Sequence, residues 1–295
     1  MTLQEIINQR QNSPEMLDCQ YAARHYYNLA EKLYYWAVFL SLISECLGFL
    51  PDSNDTNTEM LSLAIPVILG IVAYICNFFA EKNTSAAATL RNYFDDIVLG
   101  FERKRNYDKD KLNIIKKLLA NISDQDKKIE NYHAQISNNG RSNPPGVKDW
   151  YEFSDLYSDS EVIFECQKQN AWWNSELHKR RVINEGILFI GICIAIFLGY
   201  FYFRFPLLKI IICSISIIYT LADKIISEIQ YRRLSIKIEN IVSFLSTQTK
   251  RKGEIKNLQK LISERRELHV VECNHIHRVN SKRLSEKYEK LDHIL

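Results

Sequence analysis

The chain has 295 residues, 46% of them hydrophobic and 25% charged, averages that resemble those of an ordinary globular protein. A net charge of +3 excludes a general binder of nucleic-acid polymers, which needs a concentrated positive field. The seven cysteines (Cys19, Cys46, Cys76, Cys166, Cys193, Cys213, Cys273) are odd in number and scattered, which excludes a disulfide framework and fits a reducing compartment.

The averages hide a segregation. Apolar residues gather into two blocks, and most charges fall in the polar regions between and after them. The first region, 1–32, is too long and polar to be a signal peptide and reads as a cytosolic N-terminal helix. Asn12-Ser13-Pro14-Glu15 marks a helix start: a capping residue, proline in the first turn, then an acid near the positive helix end. Tyr26, Tyr27, Tyr34, Tyr35 and Trp36 read as an interfacial aromatic belt.

Residues 33–80 form a first transmembrane hairpin, with spans at 33–50 and 61–80 and an acidic loop between them. Ser41, Ser44 and Glu45 share one face of the first span. They line an aqueous path, or Glu45 simply reaches the outer headgroups six residues before Pro51. Asn77 suits an interhelical hydrogen bond.

Residues 81–186 form a cytosolic helical insert. The second span runs on as a helix to Arg105, with an apolar stripe at Ala87, Leu90, Phe94, Ile97, Val98 and Phe101. Asp95 and Asp96 point about 100° apart, too far for a chelate, and read as a solvated face. Asp108 caps a further helix whose stripe runs from Leu112 through Ile129 to Ile136. The loop at 138–151 is the strongest breaker in the chain, with two of the nine glycines and two of the six prolines at 138–146. It presents Arg141, Lys148, Trp150 and Tyr151: phosphate donors beside flat stacking surfaces. That is nucleotide chemistry, or else Trp150 plugs a helix interface. After Ser160 a helix resumes, with Ile163, Cys166, Asn170, Trp173 and Leu177 on one face. Its buried amide is either a core hydrogen bond or a ligand contact.

Residues 187–222 make the second hairpin, with spans at 187–203 and 207–222 around the Pro206 turn. Arg204 and Lys209 are the charges of that region. A buried hairpin in a soluble core is the other reading, but such helices normally keep a polar face. Ser214 and Ser216 are its candidate pore-lining residues, with Ser41, Ser44 and Glu45 of the first hairpin. The tail, 223–295, reads as a cytosolic helical hairpin broken only at Gly253. Cys273 and His277 share a helix face but His275 does not, and no fourth ligand is evident, so no metal is expected. Lys and Arg concentrate in 81–186 and after 222, which places both termini and the insert in the cytoplasm. The sequence carries no phosphate-binding glycine loop, no HExxH and no nucleophile elbow, so no catalysis and no cofactor are expected.

Asn143-Pro144-Pro145-Gly146-Val147-Lys148-Asp149-Trp150-Tyr151, Cys166-Gln167-Lys168-Gln169-Asn170 with Trp173, and the Gln20–Lys32 helix resemble the four-transmembrane pore-forming effectors associated with SMODS nucleotidyltransferases of bacterial CBASS antiphage systems. The resemblance implies an all-α polytopic protein of the bacterial inner membrane. It implies a cyclic oligonucleotide from a CD-NTase-type nucleotidyltransferase as ligand, and membrane damage that ends in abortive infection. A homo-oligomer in the lipid bilayer is expected. The candidate ligand contacts are read from residue chemistry: Arg141, Asn143, Lys148, Trp150, Tyr151, Gln167, Asn170 and Trp173. The alternative is a membrane-anchored helical scaffold whose tail recruits a cytosolic partner without permeabilising anything.

Overall fold

In a computed structural model, residues 1–48, 56–102, 107–122, 131–152, 158–203, 207–248, 251–268, 270, 283 and 287 are described. The Pro51 loop, the Pro206 turn, Ile129, and Cys273, His275 and His277 lie outside them. The described residues are helical, with no named strand among them and a single bridge between Asn139 and Lys148.

Among the described residues the helices are, in order, α1 (Leu3–Gln11), α2 (Pro14–Gly48), α3 (Thr56–Val98), α4 (Lys109–Ala120), α5 (Asn131–Ser137), α6 (Asp159–Phe203), α7 (Leu207–Ser246) and α8 (Lys252–Glu267). The N-terminal segment holds two helices where the sequence suggests one. Thr2 and Glu5 cap α1 reciprocally, the Thr2 hydroxyl accepting from Glu5 N at 3.2 Å and Thr2 N donating to Glu5 Oε2 at 2.8 Å. Pro14 then opens α2, as its fixed φ favours.

Helix α3 stops at Val98 rather than Arg105. Gly100 takes the left-handed conformation (φ 76°), and Glu102 N turns back to the Asp96 carbonyl at 3.1 Å. Asp108 caps α4, its Oδ1 accepting from Asp110 N and Lys111 N at 3.0 and 2.9 Å. That helix ends at Ala120, short of the single stripe to Ile136 that the periodicity suggests. The tail breaks between Ser246 and Lys252, and Gly253 sits inside α8 instead.

Three helices, α2, α3 and α7, pack together along their apolar halves, with α6 against α7. Tyr34, Val38, Ala80, Ile192, Ile217 and Leu221 form the core there. Their outer faces are apolar and exposed, for instance Ile68, Ile71 and Ile75 on α3 and Ile190, Ile194 and Phe197 on α6. Ala64–Val98 is long and apolar enough to cross a membrane, and Phe189–Gly199 is a shorter apolar stretch. The aromatic belt divides: Tyr26, Tyr27 and Tyr34 turn into the packed interior, while Tyr35 and Trp36 stay exposed. Adjacent helical positions point about 100° apart, so five clustered aromatics cannot all face outward.

The polar halves build two further cores. One joins α1, the start of α2, the end of α3, α4 and the start of α6 around Phe94, Tyr93 and Leu90. In the other, α8 sets Ile255, Leu258 and Ile262 into the body of the protein, the last two beside Phe164, Ile238 and Leu245. The end of α7 and α8 are therefore part of the same packed unit as the insert helix α6. Burying α8 also brings Arg266 onto Asp95, with Arg266 Nη1 at 2.6 Å from Asp95 Oδ2 and Asp95 only 1% exposed. Asp96 borders an open trough, but Asp95 is not on a solvated face. Asp95 is the buried centre of a network that joins α3, α6 and α8.

Candidate functional site

A cleft opens where α2, α3, the 138–152 loop and α6 meet. It holds about 780 Å³ of empty space, open solvent at its mouth included. Its shape follows from the loop. Gly146 lies so close to the end of α5 that a Cβ there would stand 1.9 Å from the Asn138 carbonyl oxygen, which only glycine permits. Val147 N donates to the Gln135 carbonyl (2.7 Å) and Lys148 N to that of Asn138 (3.0 Å), tying the loop to α5. Asp149 then adopts φ 49°, a left-handed conformation that Asp tolerates better than most residues. Asn12 holds it there by paired hydrogen bonds, accepting from Asp149 N at 3.0 Å and donating to Oδ1 at 2.7 Å.

That turn sends the next two aromatics in opposite directions. Trp150 faces the cleft, with the Arg91 guanidinium 4.9 Å from its ring. Tyr151 faces the core at 2% exposure. Its hydroxyl donates to Asp95 Oδ1 at 2.5 Å and accepts from Asn170 Nδ2 at 2.7 Å, while its backbone pairs with the Gln11 amide. Burial and the neighbouring Asp95 charge push the Tyr151 phenol well above its ordinary pKa. It stays a neutral donor.

Of the eight residues proposed from sequence, four line the cleft: Arg141, Trp150, Asn170 and Trp173. Four do not. Tyr151 belongs to the Asp95 network. Gln167 is fully buried and donates to the Ile255 carbonyl (3.0 Å) and Gln259 Oε1 (3.1 Å), joining α6 to α8. Lys148 and Asn143 are exposed on the loop and lie off the cleft lining. The pattern of residue types points to the loop but not to which side each residue takes: the left-handed turn at Asp149 separates Trp150 from Tyr151, and packing against α8 turns Gln167 away.

Two arginines complete the cleft and come from distant helices. Arg24 on α2 donates to the Pro145 carbonyl at 2.9 Å and to Gln135 Oε1 at 3.2 Å. Arg91 on α3 is held between the Tyr27 ring, 5.3 Å away, and Trp150. Arg24 falls within the Gln20–Lys32 segment that carries the family resemblance. Arg91 has no local signal at all. Arg141 forms an ion pair with Glu152. Asp149 and Glu152 are the acids on the lining, so three guanidiniums face two carboxylates. Flat indole faces, an excess of guanidinium and a buried amide suit a planar, anionic ligand. A wider trough between the end of α3, α4 and α8 mixes Asp96, Glu102 and Asp108 with Lys111, Lys256 and Lys260, and has no such pairing of ring and cation.

The thiols near the site are not nucleophiles. Cys166 and Cys19 are buried, and burial pushes both far above the ordinary thiol pKa. The residues proposed to line a pore lie elsewhere, together. Ser41 and Ser216 share a hydrogen bond of 2.8 Å, and Ser44 donates to the carbonyls of Cys213 and Pro66 at 3.2 and 3.3 Å. Glu45 and Ser214 are buried beside them, between α2, α3 and α7.

No curated protein and no solved structure matches the chain. A family model does, over residues 5–287: the SMODS-associating 4TM effector domain. The match takes in the N-terminal helices, both apolar blocks, the cleft and α8, so the chain belongs to the SMODS-associating 4TM effector family.

Proposed function

We propose that the protein is an effector of a bacterial CBASS antiphage system that binds a cyclic oligonucleotide in the cleft and permeabilises the inner membrane. The messenger is made by a CD-NTase-type nucleotidyltransferase, and its binding leads to abortive infection. Four segments cross the bilayer in two hairpins, within 33–80 and 187–222, with both termini cytoplasmic and the protein acting as a homo-oligomer. Arg24, Arg91 and Arg141 hold phosphate oxygens, and Trp150 and Trp173 stack on bases.

One observation carries this reading. The cleft walls include Arg91 on α3 and the Gln169–Leu177 turns of α6, and each helix runs on without interruption into an apolar run, 61–80 on α3 and 187–203 on α6. A ligand that pulls Arg91 and Trp173 together acts directly on both membrane-directed helices. It shifts the population only if it binds the permeating state more tightly than the resting one.

Purified protein in dye-loaded liposomes, challenged with a panel of cyclic di- and trinucleotides, tests the reading. One member of the panel should trigger release. Trp150→Ala should weaken its binding about 5–150-fold, the range expected for one stacked base. Tight vesicles throughout, with insertion confirmed, would favour the membrane-anchored scaffold.

A further inference from the structure

Away from the cleft, the apolar halves of the helices enclose a polar seam. On α7, Cys213, Ser216, Thr220, Lys224 and Glu228 recur at steps of three and four residues and share one face over roughly 22 Å. Each position meets a neighbouring helix. Ser44 donates to the Cys213 carbonyl, the hydroxyls of Ser216 and Ser41 touch at 2.8 Å, and Asn77 Nδ2 donates to Thr220 Oγ1 at 3.1 Å. Glu228 Oε2 pairs with His178 Nδ1 at 2.8 Å, and Lys224 Nζ stands 3.7 Å from Glu228 Oε1.

The two ends are ionisable and buried. Glu45 is 6% exposed, Lys224 6%, Glu228 8% and His178 1%. The ring of Tyr34 faces Lys224 and that of Tyr231 faces His178, with Arg265 on the Tyr231 ring. Interhelical adhesion is satisfied by hydroxyls and an amide and has no need of carboxylates, which are costly to bury among apolar helices. Glu45 lies buried beside the Ser214 hydroxyl, and among the described residues no cation is set against its carboxylate as Arg266 is against Asp95.

Carboxylates at both ends of a run of hydroxyls have the composition of a proton relay. A hydroxyl accepts a proton on one lone pair and releases another, so each hop makes one O–H bond and breaks one. The direct contact of Ser41 with Ser216 leaves no room for a hydrated ion. We propose that this seam is a proton path through a single protomer, entered at Glu45 and ending at Glu228 with His178 and Lys224. It rests on the four-span reading above but needs no assembled pore.

The test is full-length protein in two sets of liposomes, one with a trapped pH dye under a potassium–valinomycin potential, one with trapped calcein. Each is run alone and with cyclic di-GMP, cyclic GMP-AMP or cyclic tri-AMP. Proton flux should occur at protein densities that retain calcein. Glu45→Gln should cut it at least tenfold, Glu45→Asp should restore a part, and the nucleotide affinity of both variants should match the wild type. Equal flux in wild type and Glu45→Gln overturns the path, as does calcein release with no separate Glu45-dependent flux. Vesicles tight to protons and calcein alike, with protease protection showing both hairpins inserted, overturn the path and the permeabilising reading together.

Discussion

Replacing Asp95 with asparagine tests the buried network most directly. The side chain is 1% exposed and accepts from Arg266 Nη1 at 2.6 Å, Tyr151 Oη at 2.5 Å and Gln259 Nε2 at 3.2 Å. Asparagine keeps one acceptor oxygen and turns an NH2 toward donors that can no longer be satisfied. Arg266 cannot escape by losing its proton, since its surroundings hold its pKa above an already high value. A buried charge stripped of its partner costs about 3–5 kcal/mol, against ~0–1 kcal/mol for an exposed pair such as Lys179–Glu176. At ~2–4 °C per kcal/mol for a chain of this class, Asp95→Asn should lower the Tm by about 6–20 °C. Thermal unfolding of detergent-purified protein, followed by tryptophan fluorescence, measures it. Adding Arg266→Met should recover most of the loss, because it removes the orphaned charge. A drop below about 2 °C, the size of a surface substitution, would refute the buried pair.

Gly146→Ala should disturb the cleft, since its Cβ would meet the Asn138 and Gln135 carbonyl oxygens at 1.9 and 2.5 Å. A loss of about 1–3 kcal/mol in unfolding and a weaker nucleotide affinity are expected together. Gly253→Ala meets nothing within 4 Å on α8 and should gain up to about 1 kcal/mol in the same assay. Burial and the adjacent Asp95 charge raise Asp96 from 3.8 to about 6. Between those values the folded protein holds the proton that the unfolded chain has lost, so stability should fall as pH rises from about 4 to 6 and level off above. Solvent screening at this half-buried site keeps the drop to about 1–2 kcal/mol. In Tm measured against pH, Asp96→Asn should remove that slope, and an unchanged slope would mean another group causes it.

Local chemistry in the sequence determines much of this protein. Apolar runs of 16–20 residues with few charges, the Pro14 and Asp108 helix starts, and the Gly-Pro-rich loop at 138–146 point to an all-helical chain with two apolar blocks and mark the loop beside the cleft. The motif at 143–151 and Asn170 with Trp173 indicate the family, and the match over 5–287 bears that out. Tertiary structure decided the rest. Arg24 and Arg91 reach the cleft from helices far from its loop in the sequence, and no spacing within either helix announces it. The left-handed turn at Asp149 separates Trp150 from Tyr151, although the two look equivalent in the sequence. Asp95 and Asp96 suggested a solvated face because helical periodicity describes only the helix itself. Folding α8 across α3 brought Arg266 to Asp95 and made a buried ion pair from what periodicity alone presents as surface. Periodicity reports which face a helix turns inward; only the packed chain determines what that face meets.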